Sequence, residues 1–263
     1  MSKKLRLLGF IGLMPLILVL SACDLGQVSG ALGQLQQLAS TCPKGHHIAT
    51  YIGDDLSQND RSMSLSQARL SEIRAATTYT AVCGGFIQVN GFSASDAGTQ
   101  TLYAGPLQPS GATLNARLLK VTSMVDAVLR TVSSNIPRAM STLPANATDI
   151  ISELTLMAQF AQQQGAGSRL HGWLLTSGLQ TTGEVVTNVN LTEAAASDLG
   201  NRVSVPALPG SVMTIAGLGV VASNPPPPSS YVQSLITFFT KACTRTGATC
   251  IVSINPVTSI EGS

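Results

Sequence analysis

Short apolar runs alternate with segments of helical spacing along most of this chain, and that alternation limits the possible folds more than any other feature. The runs at 48–52, 86–90, 99–104, 170–175, 211–221 and 249–254 read as strands. Between them, Leu65, Ala68, Ile73, Ala76, Thr80 and Cys83 recur at roughly helical intervals. So do Leu114, Leu118, Val121, Val125, Val128 and Val132, with Pro137 expected beyond the helix end. Ile151, Leu154, Met157, Ala158 and Ala161 follow, and Val232, Leu235, Phe238, Phe239 and Ala242 close the series. Strands alternating with helices predict a three-layer α/β sandwich, with a mostly parallel central sheet and helices on both faces. Ser64 is expected to cap the first of these helices in a capping box with Gln67. The stretch after Gly178 reads as a long polar connection.

The amino terminus has the form of a targeting segment. Lys3, Lys4 and Arg6 precede an apolar stretch, and Leu20-Ser21-Ala22-Cys23 ends it. Small residues directly before a cysteine resemble a bacterial lipobox. That resemblance implies a signal peptide over 1–22, cleavage before Cys23 and diacylglycerol on its sulfur. The apolar run is short for a transmembrane span, which needs about 20 residues. An exported bacterial lipoprotein is expected, anchored in the membrane and facing outward or into the periplasm. Residues 23–43 read as a lipid-anchored tether and 44–263 as the domain, although Leu32, Leu35 and Leu38 could form a short helix. Four further cysteines, Cys42, Cys83, Cys243 and Cys250, suggest two disulfides in an exported chain, with three pairings open. Charged residues are only 11% and the net charge is +2, which argues against a nucleic-acid partner.

The candidate site begins where the first strand stops. Tyr51-Ile52-Gly53-Asp54-Asp55 runs into Leu56-Ser57-Gln58-Asn59, which sets a carboxylate, a hydroxyl and an amide at alternate positions. Ligands of open α/β sheets bind beyond the carboxyl ends of the strands. Thr148-Asp149 and Thr176-Ser177-Gly178 fall on the same expected rim. Together, these loops and the element order resemble a von Willebrand factor A (vWA) domain of a bacterial surface lipoprotein. The resemblance implies a binding or adhesion role with a protein partner. It also implies a Mg²⁺ or Mn²⁺ site held by Asp55, Ser57, Asn59, Thr148 and Ser177. That site is degenerate, because Asn59 stands where the family has Ser and Ser177 where it has Asp. Asp54 and Asp149 are the candidates to supply charge from nearby. The fold implied by the resemblance favours Cys42–Cys83 and Cys243–Cys250 as the bridges. Asp55, Ser57 and Asn59 also have a local use, capping loop amides and the following helix.

Other chemistry has less support. No catalytic group is expected. Ser177 lacks the Gly-x-Ser-x-Gly elbow of a serine hydrolase, though Ser177, His171 and Asp198 form a triad on paper. His46, His47 and His171 could suggest zinc, but adjacent strand histidines point to opposite faces. Gly217 and Gly219 lack the third glycine of a dinucleotide loop. A solute-binding lipoprotein of a transporter is the main alternative and would require two lobes around a cleft.

Overall fold

The computed structural model describes residues 30–64, 66–94, 98–221 and 225–258. Cys23, the signal segment and the start of the tether lie outside the described residues. Six strands form one sheet in the order β3-β2-β1-β4-β5-β6. These are β1 His47–Asp55, β2 Gly85–Phe92, β3 Thr99–Leu107, β4 Ser168–Leu175, β5 Val212–Ala216 and β6 Thr249–Ser253. All neighbours pair in parallel except β2 with β3. This is the doubly wound order, which reverses direction between β1 and β4. Strand β1 lies at that switch and is buried at eight of its nine positions, as a central strand covered on both faces must be.

Two apolar cores flank the sheet. On one face, α2 Gln67–Cys83 and α4 Val121–Thr142 cover Ile52, Val89, Trp173 and Leu175. On the other, α5 Ile150–Gln164, α6 Glu193–Arg202 and α7 Ser229–Arg245 cover Tyr51, Leu174, Met213 and Ile215. The valine stripe of α4 is buried from Val121 to Val132 and continues through Ile136 and Ala139.

The structure corrects several local expectations. Residues 31–40 are not tether but helix α1, Ala31–Ser40, because Leu32, Leu35 and Leu38 pack against the α2–α4 core. A short helix, α3 Leu114–Leu118, precedes α4 as a separate element. Pro137 lies inside α4 rather than beyond it. It removes one ladder bond, and burial of Ile136 and Ala139 holds the helix together on either side. Ser66 rather than Ser64 caps α2, accepting the Arg69 N–H at 3.3 Å, while Ser64 donates to the Arg61 carbonyl. The long polar connection contains α6, capped by Thr192. A Cβ on Gly200 would stand 2.6 Å from the Phe238 carbonyl, so α6 approaches α7 as closely as backbone allows.

The disulfides Cys42–Cys83 and Cys243–Cys250 both form, with Cα separations of 5.4 and 6.1 Å. They lie at the amino ends of β1 and β6, the pole opposite the candidate site. Chain-entropy arguments give about 4 kcal/mol for a loop the size of 42–83 and about 2.5 kcal/mol for 243–250. We therefore expect Cys42→Ser/Cys83→Ser to lower the denaturant midpoint more than Cys243→Ser/Cys250→Ser, in urea unfolding of the two variants side by side.

Candidate functional site at the carboxyl rim of the sheet

Strand β1 delivers two consecutive acids to the rim, and both are fully buried. Alternation along the strand sends them to different neighbours. Asp55 accepts the Ser57 N–H at 2.9 Å on one oxygen, closing a tight turn. Its other oxygen accepts the Thr176 hydroxyl at 2.7 Å, 121 positions away in the chain. Asp54 accepts from the Arg69 guanidinium at 2.8 Å. The turn after β1 then brings a third acid inward. Asp60 accepts the Ser177 N–H at 2.9 Å and the Ser177 hydroxyl at 2.6 Å, and it pairs with Arg69 as well. A further guanidinium N–H donates to the Asp55 carbonyl at 2.9 Å.

Arg69 can reach all three because the Ser66 cap sets it in the first turn of α2, directly above the end of β1. It is only 6% exposed. Burial opposes its charge, but Asp54, Asp60 and Asp55 outweigh that effect and hold the guanidinium protonated. The acids outnumber it. Burial raises Asp54 from its ordinary 3.8 to about 7, with Arg69 pulling the other way. Burial, reinforced by the Asp60 charge, raises Asp55 to about 8. Glu72, one turn further along α2, is also raised by burial, to about 7.

Of the residues singled out from the sequence, the structure gathers Asp55, Ser57 and Ser177 around this cluster. Asn59 points elsewhere and is exposed on the outer side of the turn. Thr148 is buried, and its loop is tied in through the backbone: its carbonyl accepts the Thr181 and Thr182 N–H groups at 3.0 and 3.2 Å. The Ala145 carbonyl accepts the Gln58 N–H at 2.8 Å. The three loops therefore converge, but among the described residues no hydrogen bond joins Thr148 to Asp55. Asp149 caps α5 by accepting the Ser152 N–H at 3.1 Å, so it supplies no charge to the cluster. The sequence reading missed Asp60 and Arg69, and it placed Thr176 on the rim without giving it a role. One signal was available: three acids between positions 54 and 60 need a counterion, and Arg69 lies on the next turn of helix.

This donor set suits a hard divalent cation in kind, since every side chain offers oxygen. Its arrangement does not suit one. Both oxygens of Asp55 and both of Asp60 accept N–H or O–H groups, and Asn59 is turned away. A guanidinium already provides the positive charge. Only the Ser57 hydroxyl and one Asp54 oxygen are buried without a partner at the cluster. Among the described residues, no three of His, Cys, Asp and Glu group as a metal shell. Nor is there a hydrolase triad. The Ser177 hydroxyl donates to Asp60, and His171 lies six residues back in β4 between Tyr79 and Trp173.

The described residues thus form a doubly wound α/β sandwich, one sheet with its polar loops gathered at the carboxyl rim. No protein-family model matches the chain. No curated protein matches it in sequence. Solved structures similar to it include the pilus adhesin SpaC of Lactobacillus rhamnosus GG, with 11% identity over 82% of this chain and 29% of that one, at a TM-score of 0.41. The manganese-loaded TRAP protein of Plasmodium vivax aligns at 12% identity over 73% of this chain and 63% of its own, with a TM-score of 0.37. A von Willebrand factor type A protein from Catenulispora acidiphila gives 15% identity, 76% and 42% coverage, and a TM-score of 0.34. The chain spans less than two thirds of each of these proteins. Assignments at the rim rest on this chain's own geometry.

Raised acid pKa values fix the sign of a pH effect. Between about pH 4 and pH 8 the folded state holds protons on Asp54 and Asp55 that the unfolded state has released, so stability falls as pH rises through that window. We expect the thermal midpoint to drop by several degrees between about pH 5 and pH 8.5, since ~1 kcal/mol corresponds to ~2–4 °C at this chain length. Asp54→Asn should flatten the profile. Removing the shared cation by Arg69→Met should cost roughly 3–5 kcal/mol in chemical denaturation, because it strands buried carboxylates.

Proposed function

We propose that this chain is a lipid-anchored, extracytoplasmic binding module that docks a protein partner on the carboxyl rim of its sheet, without a divalent cation. The observation that carries this reading is Arg69, whose guanidinium occupies the centre of the acidic cluster where a metal-dependent rim would need an ion. The cluster then works as a rigid base. It ties the loops after β1 and β4 together from below, and backbone bonds bring in the 145–148 loop. The surface above the base is available for contact: Gln58, Asn59 and Asn146 are exposed there, and Val185 and Val189 are exposed in the connection leaving β4. Exposed amides beside exposed valines suit a neutral protein surface. Two disulfides fit an oxidising compartment outside the cytoplasm. Among the described residues no helix is long and apolar enough to cross a membrane. A lipid on Cys23 would supply the attachment. A transporter's solute-binding protein would need a second lobe, and the described residues form one sheet.

Two measurements test the reading. Expressed in a bacterium with its leader, the chain should incorporate an alkyne-tagged fatty acid, and Cys23→Ser should abolish the label; unlabelled wild type would remove the anchor. Thermal melts should be insensitive to Mn²⁺ and Mg²⁺. Ligation at 100 times Kd would add ~2.7 kcal/mol. A rise of that size, lost in Asp55→Ala, would instead reinstate a metal site on Asp55, Ser57, Thr148 and Ser177. Binding to envelope proteins should survive EDTA and be lost in Gln58→Arg/Asn59→Glu.

A further inference from the structure

Helix α5 packs over β1 and β4, and beside it on the same face the β2–β3 margin has Gln88 half-buried and Thr101 exposed. The trough between the helix and this margin measures about 220 Å³. It is lined by Gln88 and Asn90 of β2, Thr101 of β3, and Gln159 and Gln163 of α5. No Lys, Arg, Asp or Glu lines it. Gln159 and Gln163 are four residues apart, share one helix face and are exposed, so two free amides stand side by side. A register shift at Val89/Asn90 kinks the floor at this point.

The floor is hydrogen-bonded in one direction. The Gln88 side-chain amide donates to the Asn90 carbonyl oxygen at 3.3 Å. The Asn90 amide faces the Tyr51 hydroxyl, which in turn donates to Glu153 at 2.7 Å. Thr99 donates to the other oxygen of Glu153 at 2.8 Å. Each link passes its proton inward toward the buried carboxylate, and links in such a chain polarise one another. The outer end of the chain, the Gln88 carbonyl oxygen, is therefore an enriched acceptor. A ligand that satisfies it must donate. One that also meets Gln159 and Gln163 must both donate and accept at neighbouring atoms, while carrying no net charge. Adjacent hydroxyl groups meet all these demands. The half-buried Leu156 in the same trough suits the C–H face of a sugar ring. Its volume is below the ~300–1,000 Å³ of drug-sized sites, which suits a single ring. An extended peptide would instead be expected to pair with the backbone of edge strand β3, not with this side-chain trough.

We propose that the trough between α5 and the β2–β3 margin binds a neutral pyranose unit, as a site separate from the carboxyl rim. Neither its residues nor its test depends on the function assigned to the rim. The test is a ¹H–¹⁵N NMR titration of the full chain with N-acetylglucosamine, glucose and mannose, and with trialanine as a peptide probe, each to about 50 mM, because a shallow one-ring site is expected near millimolar Kd. The expected result is saturable shifts of the Gln88, Gln159 and Gln163 side-chain amides with at least one sugar, and none at Gln37 on α1. Gln159→Ala/Gln163→Ala changes two exposed positions and should leave the fold intact. It should weaken sugar binding at least tenfold, and Gln88→Leu should do the same while Gln88→Glu retains part of it. The proposal is overturned if no sugar gives a saturable shift, if the double variant binds as well as wild type, or if trialanine alone binds.

Discussion

One guanidinium buried among three carboxylates sets the geometry of this domain's working edge. Arg69 is reached by Asp54 from the end of β1 and by Asp60 from the turn that follows, and it also holds the Asp55 backbone. Charge-assisted bonds of this kind are shorter and stronger than neutral ones, and in a site closed to water they are also directional. Strand, turn and helix are fixed to one another at a single point. The third partner, the loop after β4, enters through Ser177 and Thr176, which donate to Asp60 and Asp55. Removing one acid would still leave the guanidinium paired, whereas removing the guanidinium would strand acids already short of positive charge.

That arrangement has a consequence for what the rim can do. A rim built around an exchangeable ion can present an open coordination position to a partner. Here the positive charge is covalently part of α2 and lies beneath the surface. On the proposed reading, recognition would come from the exposed Gln58, Asn59 and Asn146, with affinity drawn from shape and apolar contact more than from charge. The raised Asp54 and Asp55 pKa values are the cost of placing three acids around one base, and burial is the main cause in both.

Elsewhere the sheet is completed by local devices. Two disulfides close the pole opposite the rim, one joining the entry of β1 to the end of α2 and the other joining α7 to β6. Gly85 is needed because a Cβ there would meet the Ile48 carbonyl oxygen at 1.9 Å, and Gly200 because α6 lies against α7 backbone. On the face beneath α5, Phe86 and Phe92 of β2 join the apolar core, while Gln88 and Asn90 between them are polar, and the trough described above lies over these polar positions.

The sequence by itself determined the layered α/β class, the six strands, four of the helices and the convergence of three loops, because hydrophobic periodicity is written locally and survives without knowledge of contacts. It also drew attention to Asp55, Ser57 and Ser177, as metal ligands implied by a resemblance; the structure places their side chains or backbone in hydrogen bonds around Arg69's cluster. The resemblance to vWA domains, rather than residue spacing, selected the two disulfide pairs from three possibilities. Only the tertiary structure decided that Asn59 faces solvent while Asp60 turns inward, since a turn's direction depends on which neighbour offers a partner. Only it showed α1 and α6, whose sparse apolar residues become a face once packed against α2 and α3 in the first case and α7 in the second. And only it revealed that Arg69 is the site's cation. A charge in a helix normally reads as solvated surface, and nothing local marks the one that folding places over the end of a strand.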